Sequence, residues 1–249
     1  MSYGPPIAAI AALIGDPARA TILASLMGGE ALTAGELARL AGVTPQTASS
    51  HLAKLTDAHL IAVERQGRHR YYRLVSADVA QALETFMTVA TARPQRPRLL
   101  SPRDRALHLA RTCYDHMAGR LAIALTDSLV AHRHLVLADG AGLITGHGQR
   151  LLDDFGIGLK QTPASRRPLC RTCLDWSERR PHLSGRLGAA LLARLLELGW
   201  LIRVPHSRAL TISRTGEMGL IRTFGIAATW REPACSSATP AGPRQDDSA

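Results

Sequence analysis

The sequence has no apolar run long enough to cross a membrane. No stretch of its 249 residues approaches the ~18 to 20 apolar residues that a bilayer requires. The apolar segment AAIAALIG near the start lacks the basic leader and the cleavage site of a signal peptide. We therefore expect a cytoplasmic protein with no membrane partner.

Cysteine is scarce, and the common motifs of enzymes are missing. In a reducing compartment, four cysteines are more typical of thiols, metal ligands or redox sensors than of structural disulfides. The sequence contains neither a glycine loop for phosphate nor a His-Glu-x-x-His motif. Cys113, Asp115 and His116 supply the residue types of a catalytic triad, but residues crowded this closely rarely orient one another correctly. We do not expect an enzyme, and a Cys/His-dependent enzyme fused to a DNA-binding domain stays a minor alternative.

Acidic residues are outnumbered by basic ones. The chain has thirty Lys and Arg residues and twenty Asp and Glu residues, so the formal net charge is +10. Nearly all of the basic residues are arginine, whose planar guanidinium forms forked contacts with phosphate. The charge favours a polyanionic partner, and nucleic acid is the first candidate.

Two short helices joined by a Gly-containing turn are predicted within the first sixty residues. TAGELARLAG has Thr33 as its N-cap, Glu36 as the capping-box partner and Gly42 at its end. VTPQTASSHLAKL has Thr44 as its N-cap and Pro45 at the first helical position. A core helix, DPARATILASLM, precedes them. This arrangement is typical of a helix-turn-helix.

A basic β-hairpin and an amphipathic helix complete this region. LIAVERQGRHRYYRLV alternates apolar residues on both sides of a Gln-Gly turn, and SADVAQALETFMTVA has helical periodicity. A helix in the major groove presents polar side chains to base edges, while basic side chains meet phosphates or the minor groove. The candidate DNA-binding residues are Thr44, Gln46, Thr47, Ser49, Ser50, His51, Lys54, Arg65, Arg68, His69 and Arg70.

Residues 10 to 90 resemble the ArsR/SmtB-type family of bacterial winged-helix repressors. The shared motifs are Asp-Pro-x-Arg from Asp16, Ser-x-His-Leu-x-x-Leu from Ser49, and a basic wing that ends in Tyr-x-Leu at Leu74. The resemblance implies a homodimer that uses its first and last helices as the interface and reads a near-palindromic double-stranded DNA operator. It also implies a repressor that leaves DNA when an inducer binds or a thiol reacts. A ligand-free architectural DNA-binding protein is the alternative.

Two sensing sites of this family are missing here. Where arsenic-sensing members carry paired cysteines, ALTAGEL has Thr33 and Gly35. The closing helix holds Asp78 but no histidine for the zinc site of other members. Any metal or small-molecule inducer is therefore expected to act through the second half of the chain.

Composition and repeats divide the chain into four predicted regions. RPQRPR cannot continue a helix, and SSATPAGPRQDDSA has the composition of a disordered tail beside Cys235. We predict an α+β, mostly helical fold with four parts: a winged helix-turn-helix domain at 1–92, a linker at 93–102, a duplicated sensory or dimerisation domain at 103–232, and a disordered tail at 233–249.

The second half contains an internal duplication. Arg111 to Asp115 matches Arg171 to Asp175, and HMAGRLAIAL matches HLSGRLGAAL after the insertion WSERRP in the second copy. FGI also recurs. Each copy predicts a helix, then a strand and turn, then a short helix starting near Gly148 or Gly216, an arrangement that a winged-helix-like repeat would satisfy. Because neither copy buries its apolar face well alone, the copies are expected to pack about a pseudo-twofold axis.

The repeated cysteines and histidines admit three interpretations. If the copies meet, two thiolates and two imidazoles satisfy a tetrahedral ion such as zinc or another transition metal; otherwise each copy holds a half-site. If Cys113 and Cys173 precede helix starts, they are favoured as reactive thiolates, and Cys170 would resolve a sulfenic acid formed at Cys173. The third interpretation is packing alone. The candidate metal or redox residues are Cys113, His116, Cys170, Cys173 and His182.

Overall fold

The first half of the chain forms a winged helix-turn-helix. The computed structural model describes residues 7–67, 69–91, 101–138, 140–158 and 167–232. Strand β3 pairs with both β1 and β2 in a three-stranded antiparallel sheet. The elements are α1 (Ile7–Ile14), α2 (Pro17–Leu26), β1 (Leu32–Thr33), α3 (Ala34–Ala41), α4 (Pro45–Asp57), β2 (Ile61–Gln66), β3 (His69–Leu74) and α5 (Ala77–Thr91).

The predicted helix caps are confirmed. Thr33 and Glu36 form a reciprocal capping box at the start of α3. Gly42 ends that helix in the left-handed conformation with φ 66°, which a residue without Cβ adopts at little cost. Thr44 caps α4, with Pro45 at its first position. These local signals set the angle between α3 and α4.

The second half repeats one sequence of elements twice. A helix α6 (Pro102–Leu109) precedes the first copy, and a short 3-10 helix (Ala228–Arg231) follows the second. The first copy contains β4 (Arg111–Cys113), β5 (His116–Ala118), α7 (Arg120–Ala131), β6 (Leu135–Ala138), β7 (Ala141–Ile144) and α8 (Gly146–Asp154). The second contains β8 (Arg171–Leu174), β9 (Pro181–Ser184), α9 (Gly185–Glu197), β10 (Leu201–Arg203), β11 (Leu210–Ile212) and α10 (Arg214–Phe224).

Each copy begins with a hairpin, so the predicted helix start at the repeated Arg-Thr-Cys is wrong. Cys113 pairs with His116 across a two-residue turn in which Tyr114 has φ 61°. A positive φ interrupts a right-handed helix, and the helix begins only after Gly119. In the second copy, the insertion lengthens the turn but leaves the equivalent pairing of Cys173 with His182.

Glycine recurs at the start of α7 and α9 because the backbone passes close to a carbonyl there. Gly119 has φ +87° and Gly185 has φ +75°. A Cβ at Gly119 would lie 2.8 Å from the carbonyl oxygen of His108, and a Cβ at Gly185 would lie 2.8 Å from that of Pro168. The same constraint therefore acts in both copies.

The two copies share one apolar core, as the duplication predicts. Strand β7 of the first copy pairs with β8 of the second, which makes a four-stranded sheet in the order β6-β7-β8-β9. The repeated phenylalanines Phe155 and Phe224 meet edge to face, with ring centroids 4.9 Å apart. Contact between equivalent residues is what a pseudo-twofold arrangement requires.

A buried core also crosses the predicted domain boundary. Cys113, Ala118 and Cys173 belong to the same apolar cluster as the helix-turn-helix core. At the tip of the first hairpin, the Tyr114 amide donates to the carbonyl of Met27, with N and O 2.7 Å apart. Ser101 and Pro102, assigned to the linker from sequence, instead cap and start α6. The rest of the predicted linker and tail, with Cys235, lies outside the described residues.

Among the described residues, no single helix is long and apolar enough to span a membrane. Helices α1 and α2 reach that length and apolarity only when taken together, and the chain bends by 89° between them.

Candidate functional site

Helix α4 presents a polar face to solvent. Its buried stripe is Ala48, Leu52 and Leu55, which pack into the core of the helix-turn-helix. The opposite face is therefore free to lie in a groove. The predicted contact residues exposed on it are Gln46, Thr47, Ser49, Ser50 and Lys54.

Several of the predicted contact residues also have partners within the helix region. The Thr44 hydroxyl accepts from the Thr47 amide as the cap, and Ser49 Oγ donates to the Pro45 carbonyl at 2.9 Å. His51 is half-buried, with Nδ1 3.3 Å from Nη1 of Arg19. Gln46, Ser50 and Lys54 are thus the better placed side chains for reaching DNA.

The wing places its basic residues at an exposed tip. Strands β2 and β3 pair Arg65 with Arg70 and Gln66 with His69. All four residues are exposed, and Gly67 turns the chain with φ +58°. Arg68 lies outside the described residues.

The two hairpins bring four chemically matched side chains together. Cys113, His116, Cys173 and His182 are all buried, and their ligand atoms lie within 4.8 Å of one another. The Sγ atoms of Cys113 and Cys173 are 4.0 Å apart, and the rings of His116 and His182 stack with centroids 5.1 Å apart. Each hairpin contributes one cross-strand Cys-His pair, so the site exists only where the two copies meet.

Buried imidazole nitrogens in this cluster lack hydrogen-bond partners. Within the described part of the chain, His116 Nε2 and both ring nitrogens of the fully buried His182 have none. His116 Nδ1 lies 3.3 Å from Asp115 Oδ1, and His182 Nδ1 lies 3.9 Å from Asp175 Oδ2. A buried polar atom without a partner is costly, typically about 1–3 kcal/mol, so these nitrogens call for a ligand.

The same contacts shift the pKa values of the thiols in opposite directions. The hydrogen bond between the thiols, followed by burial, raises the pKa of Cys113 well above its ordinary value. The hydrogen bond from Cys113 and contacts with His116 and His182 outweigh burial and lower the pKa of Cys173 to about 2. Burial lowers the pKa of His116, but the hydrogen bond to Asp115 and the nearby Cys173 sulfur outweigh it and raise the pKa overall. These contacts favour the thiolate form of Cys173 over that of Cys113.

The structure does not bring Cys170 into this cluster. Cys170 is buried in the core of the duplicated half, whereas Cys173 belongs to the cluster that includes the helix-turn-helix core. Burial raises the pKa of the Cys170 thiol to about 11, which disfavours the thiolate that resolution of a sulfenic acid requires. The predicted partnership of Cys170 with Cys173 therefore has no structural support.

Sequence reasoning missed the residues that connect this cluster to helix α5. Gln81 Nε2 lies 3.5 Å from Cys173 Sγ. Arg111, fully buried, donates to Glu84 Oε1 at 3.2 Å and to Asp175 Oδ2 at 3.0 Å. Glu84 lies on the apolar face of a predicted helix, and a buried charge needs a partner, so its position could have indicated a cation from elsewhere in the chain. The partners themselves lie on other elements.

Comparison with known proteins places the chain in a family. A family model described as Helix-turn-helix domain matches residues 14–64. The chain is 45% identical over 222 residues to the Uncharacterized HTH-type transcriptional regulator YdfF of Bacillus subtilis (strain 168), a match that covers 89% of this chain and 98% of the relative. The chain belongs to the HTH-type transcriptional regulators.

A match of this length includes the duplicated half of the regulator as well as its helix-turn-helix. The HTH-type transcriptional regulator YgaV of Escherichia coli (strain K12) is 32% identical over 82 residues, covering 33% of this chain and 83% of the relative. The prediction of a winged helix-turn-helix transcriptional regulator with an α+β fold is confirmed.

Solved structures similar to this regulator cover about a third of it. NolR from Sinorhizobium fredii is 27% identical and matches 36% of this chain and 96% of its own, with a TM-score of 0.31. The cadmium metal-sensor CMTR from Mycobacterium tuberculosis is 28% identical and matches 39% of this chain and 99% of its own, with a TM-score of 0.30.

Proposed function

We propose that this regulator is a cytoplasmic homodimeric repressor that releases a near-palindromic double-stranded DNA operator when the second half of the chain senses an effector. The observation that carries the proposal is the exposed polar face of α4 beside the exposed basic wing. Their positions suit base readout by Gln46 and Ser50 and phosphate contacts by Lys54, Arg65 and Arg70.

Exposed apolar faces on the first and last helices of the winged domain support the homodimer. On α1, Ile10, Leu13 and Ile14 are half-buried against the core, whereas Ile7 is 72% exposed. On α5, Phe86 is 52% exposed and Val89 is 65% exposed. Side chains of this kind are expected to be covered by a second copy, because exposed apolar surface of this extent marks interaction sites.

Binding-site selection from a random duplex library, followed by affinity measurements at several salt concentrations, tests the proposed DNA contacts. For Lys54→Ala, we expect weaker binding to every sequence and a salt slope smaller by about 1, since one phosphate contact is lost. Arg222→Ala is the matched control, because Arg222 is exposed on α10 in the duplicated half. An unchanged salt slope in Lys54→Ala would contradict a phosphate contact.

Sequence readout is tested on the selected site. For Gln46→Ala, we expect the discrimination between the selected site and a scrambled site to fall by about 1–3 kcal/mol, the usual contribution of one good bidentate base contact. Equal losses on both duplexes would argue against base readout. If the wild-type chain shows no preference for any sequence, the result contradicts operator binding and favours an architectural DNA-binding role.

A further inference from the structure

We propose that Cys113, His116, Cys173 and His182 form a tetrahedral site for a thiophilic divalent cation of the zinc class, and that this ion is the effector that lowers DNA affinity. The effector role rests on the proposed function; the ion site itself does not. No ligand is needed from outside the chain, since two hairpins supply all four donors.

The donor types and spacings match such an ion. Two sulfurs and two imidazole nitrogens are a ligand set typical of tetrahedral zinc. With metal–sulfur and metal–nitrogen bonds of about 2.3 and 2.0–2.1 Å, tetrahedral ligands lie about 3.3 to 3.8 Å apart. The two Sγ atoms are already 4.0 Å apart, and the widest ligand separation is within 4.8 Å. Only a small contraction of the cluster is required.

The unpartnered imidazole nitrogens are a second, independent observation. His116 Nε2 and His182 Nε2 are buried and have no hydrogen-bond partner among the described residues. Each ring also has a carboxylate on its other side: Asp115 beside His116 Nδ1, and Asp175 beside His182 Nδ1. A carboxylate behind a histidine is the usual outer shell of a metal site, where it orients the ring and fixes the tautomer.

An opening next to the cluster provides a route for the ion. A cleft of about 640 Å³ is lined by Cys113 and His116, whereas Cys173 and His182 do not line it. Its wall also includes the acidic Asp78 and Asp115, together with Arg171 and with Arg167, which pairs with Asp115. A hydrated cation can therefore approach through a polar cleft and lose its water at the buried donors.

Helix α5 is connected to the site in two ways. Gln81 contacts Cys173 directly, with Nε2 and Sγ 3.5 Å apart. Glu84 is joined through Arg111 to Asp175, the carboxylate behind His182. The same helix follows the wing and carries the exposed Phe86 and Val89. Contraction of the cluster around an ion would therefore act on the helix that we assign to the dimer interface.

Cobalt(II) titration of the full, metal-free chain under reducing conditions tests the ion site without DNA. We expect one Co²⁺ per chain, with the visible absorption of a tetrahedral ion and a near-ultraviolet thiolate charge-transfer band. Cys113→Ser and Cys173→Ser should each lose most of the charge-transfer band. Cys170→Ser is the matched control, since Cys170 is a buried cysteine outside the cluster, and it should keep the wild-type spectrum.

Folding and oxidation are checked in the same experiment. Far-ultraviolet circular dichroism identifies any variant that does not fold. In the wild-type chain, Zn²⁺ should protect two thiols from alkylation, which tests the site without a substitution. No Co²⁺ binding with all thiols reduced overturns the proposal, as does a charge-transfer band that survives in Cys113→Ser and disappears in Cys170→Ser.

The effector role is tested by DNA binding with and without Zn²⁺. We expect Zn²⁺ to lower the affinity of the wild-type chain for its selected duplex by about 5-fold to 150-fold, the usual range of coupling between two sites. For Cys173→Ser, Zn²⁺ should change the DNA affinity less than twofold. For Gln81→Ala, Zn²⁺ should lower the DNA affinity less than in the wild-type chain, while the Co²⁺ spectrum is retained. An intact Co²⁺ site with unchanged or increased DNA affinity overturns the effector role, whereas loss of DNA binding without metal contradicts the proposed function instead.

Discussion

At the scale of single residues, equivalent positions of the two repeats have taken different roles. Arg111 is fully buried, pairs with Glu84 and Asp175, and lies 4.5 Å from the ring centre of Trp176. Arg171, its counterpart, is exposed. A repeated residue is therefore not evidence of a repeated function, since the duplicated chains meet different neighbours.

Replacing these two arginines separates their roles. We expect Arg111→Met to destabilise the protein by about 3–5 kcal/mol, because it removes the closest cation from two buried carboxylates and leaves Glu84 with the more distant Arg208 at 3.9 Å. Arg171→Met should change the free energy of unfolding by no more than about 0.5 kcal/mol, as is usual for an exposed position. Urea unfolding followed by circular dichroism measures both, and equal effects would contradict the asymmetry.

At the scale of elements, the hairpins and α5 carry what is particular to this regulator. The strands pair Cys113 with His116 and Cys173 with His182, while Asp175 and Arg111 join the hairpins to α5. The opposite side of α5 keeps apolar side chains exposed. One face of the helix thus meets the site, and the other is available to a second chain.

Charge placed on the exposed face of α5 should disrupt the dimer. We expect Phe86→Glu to give a monomer, measured by light scattering coupled to size-exclusion chromatography, because a carboxylate at an apolar interface loses its hydration without gaining a partner. Leu143→Glu is the control, since Leu143 is 69% exposed on β7 in the duplicated half. A Phe86→Glu dimer would place the interface elsewhere.

At the scale of the whole molecule, the two halves share a core instead of meeting only at a linker. Cys113, Ala118 and Cys173 pack in the same cluster as Leu26 and Leu83. Glu84 on α5 is fully buried because Arg111 of the second half covers it. The stability of the winged domain therefore depends on residues that follow it by more than twenty positions.

Removal of residues 100 to 249 should separate DNA binding from its regulation. We expect the fragment to bind the selected duplex without any response to Zn²⁺, because all four proposed ligands are absent. It should also melt at a lower temperature than the full chain, since part of its core is lost. Circular dichroism melting and fluorescence anisotropy measure both properties, and an unchanged melting temperature would contradict the shared core.

The winged helix-turn-helix, its caps and the duplication can all be predicted from the sequence alone. These features depend on local signals: Thr33 and Glu36 cap a helix within one turn, and the apolar stripe of α4 has helical periodicity. The ligand types of the candidate site were also visible, because Cys and His recur in both copies. Local signals of this kind need no knowledge of the distant chain.

How those residues are used depends on packing between distant parts of the chain. A Cys and a His three positions apart can lie on one face of a helix or face each other across a β-hairpin. The positive φ of Tyr114 is compatible with the hairpin and not with the helix. Cys170 lies in a bend just before β8 and Cys173 lies within β8, and their side chains enter different cores. The approach of Gln81 and Arg111 to the site depends on packing between distant elements, which no local spacing specifies.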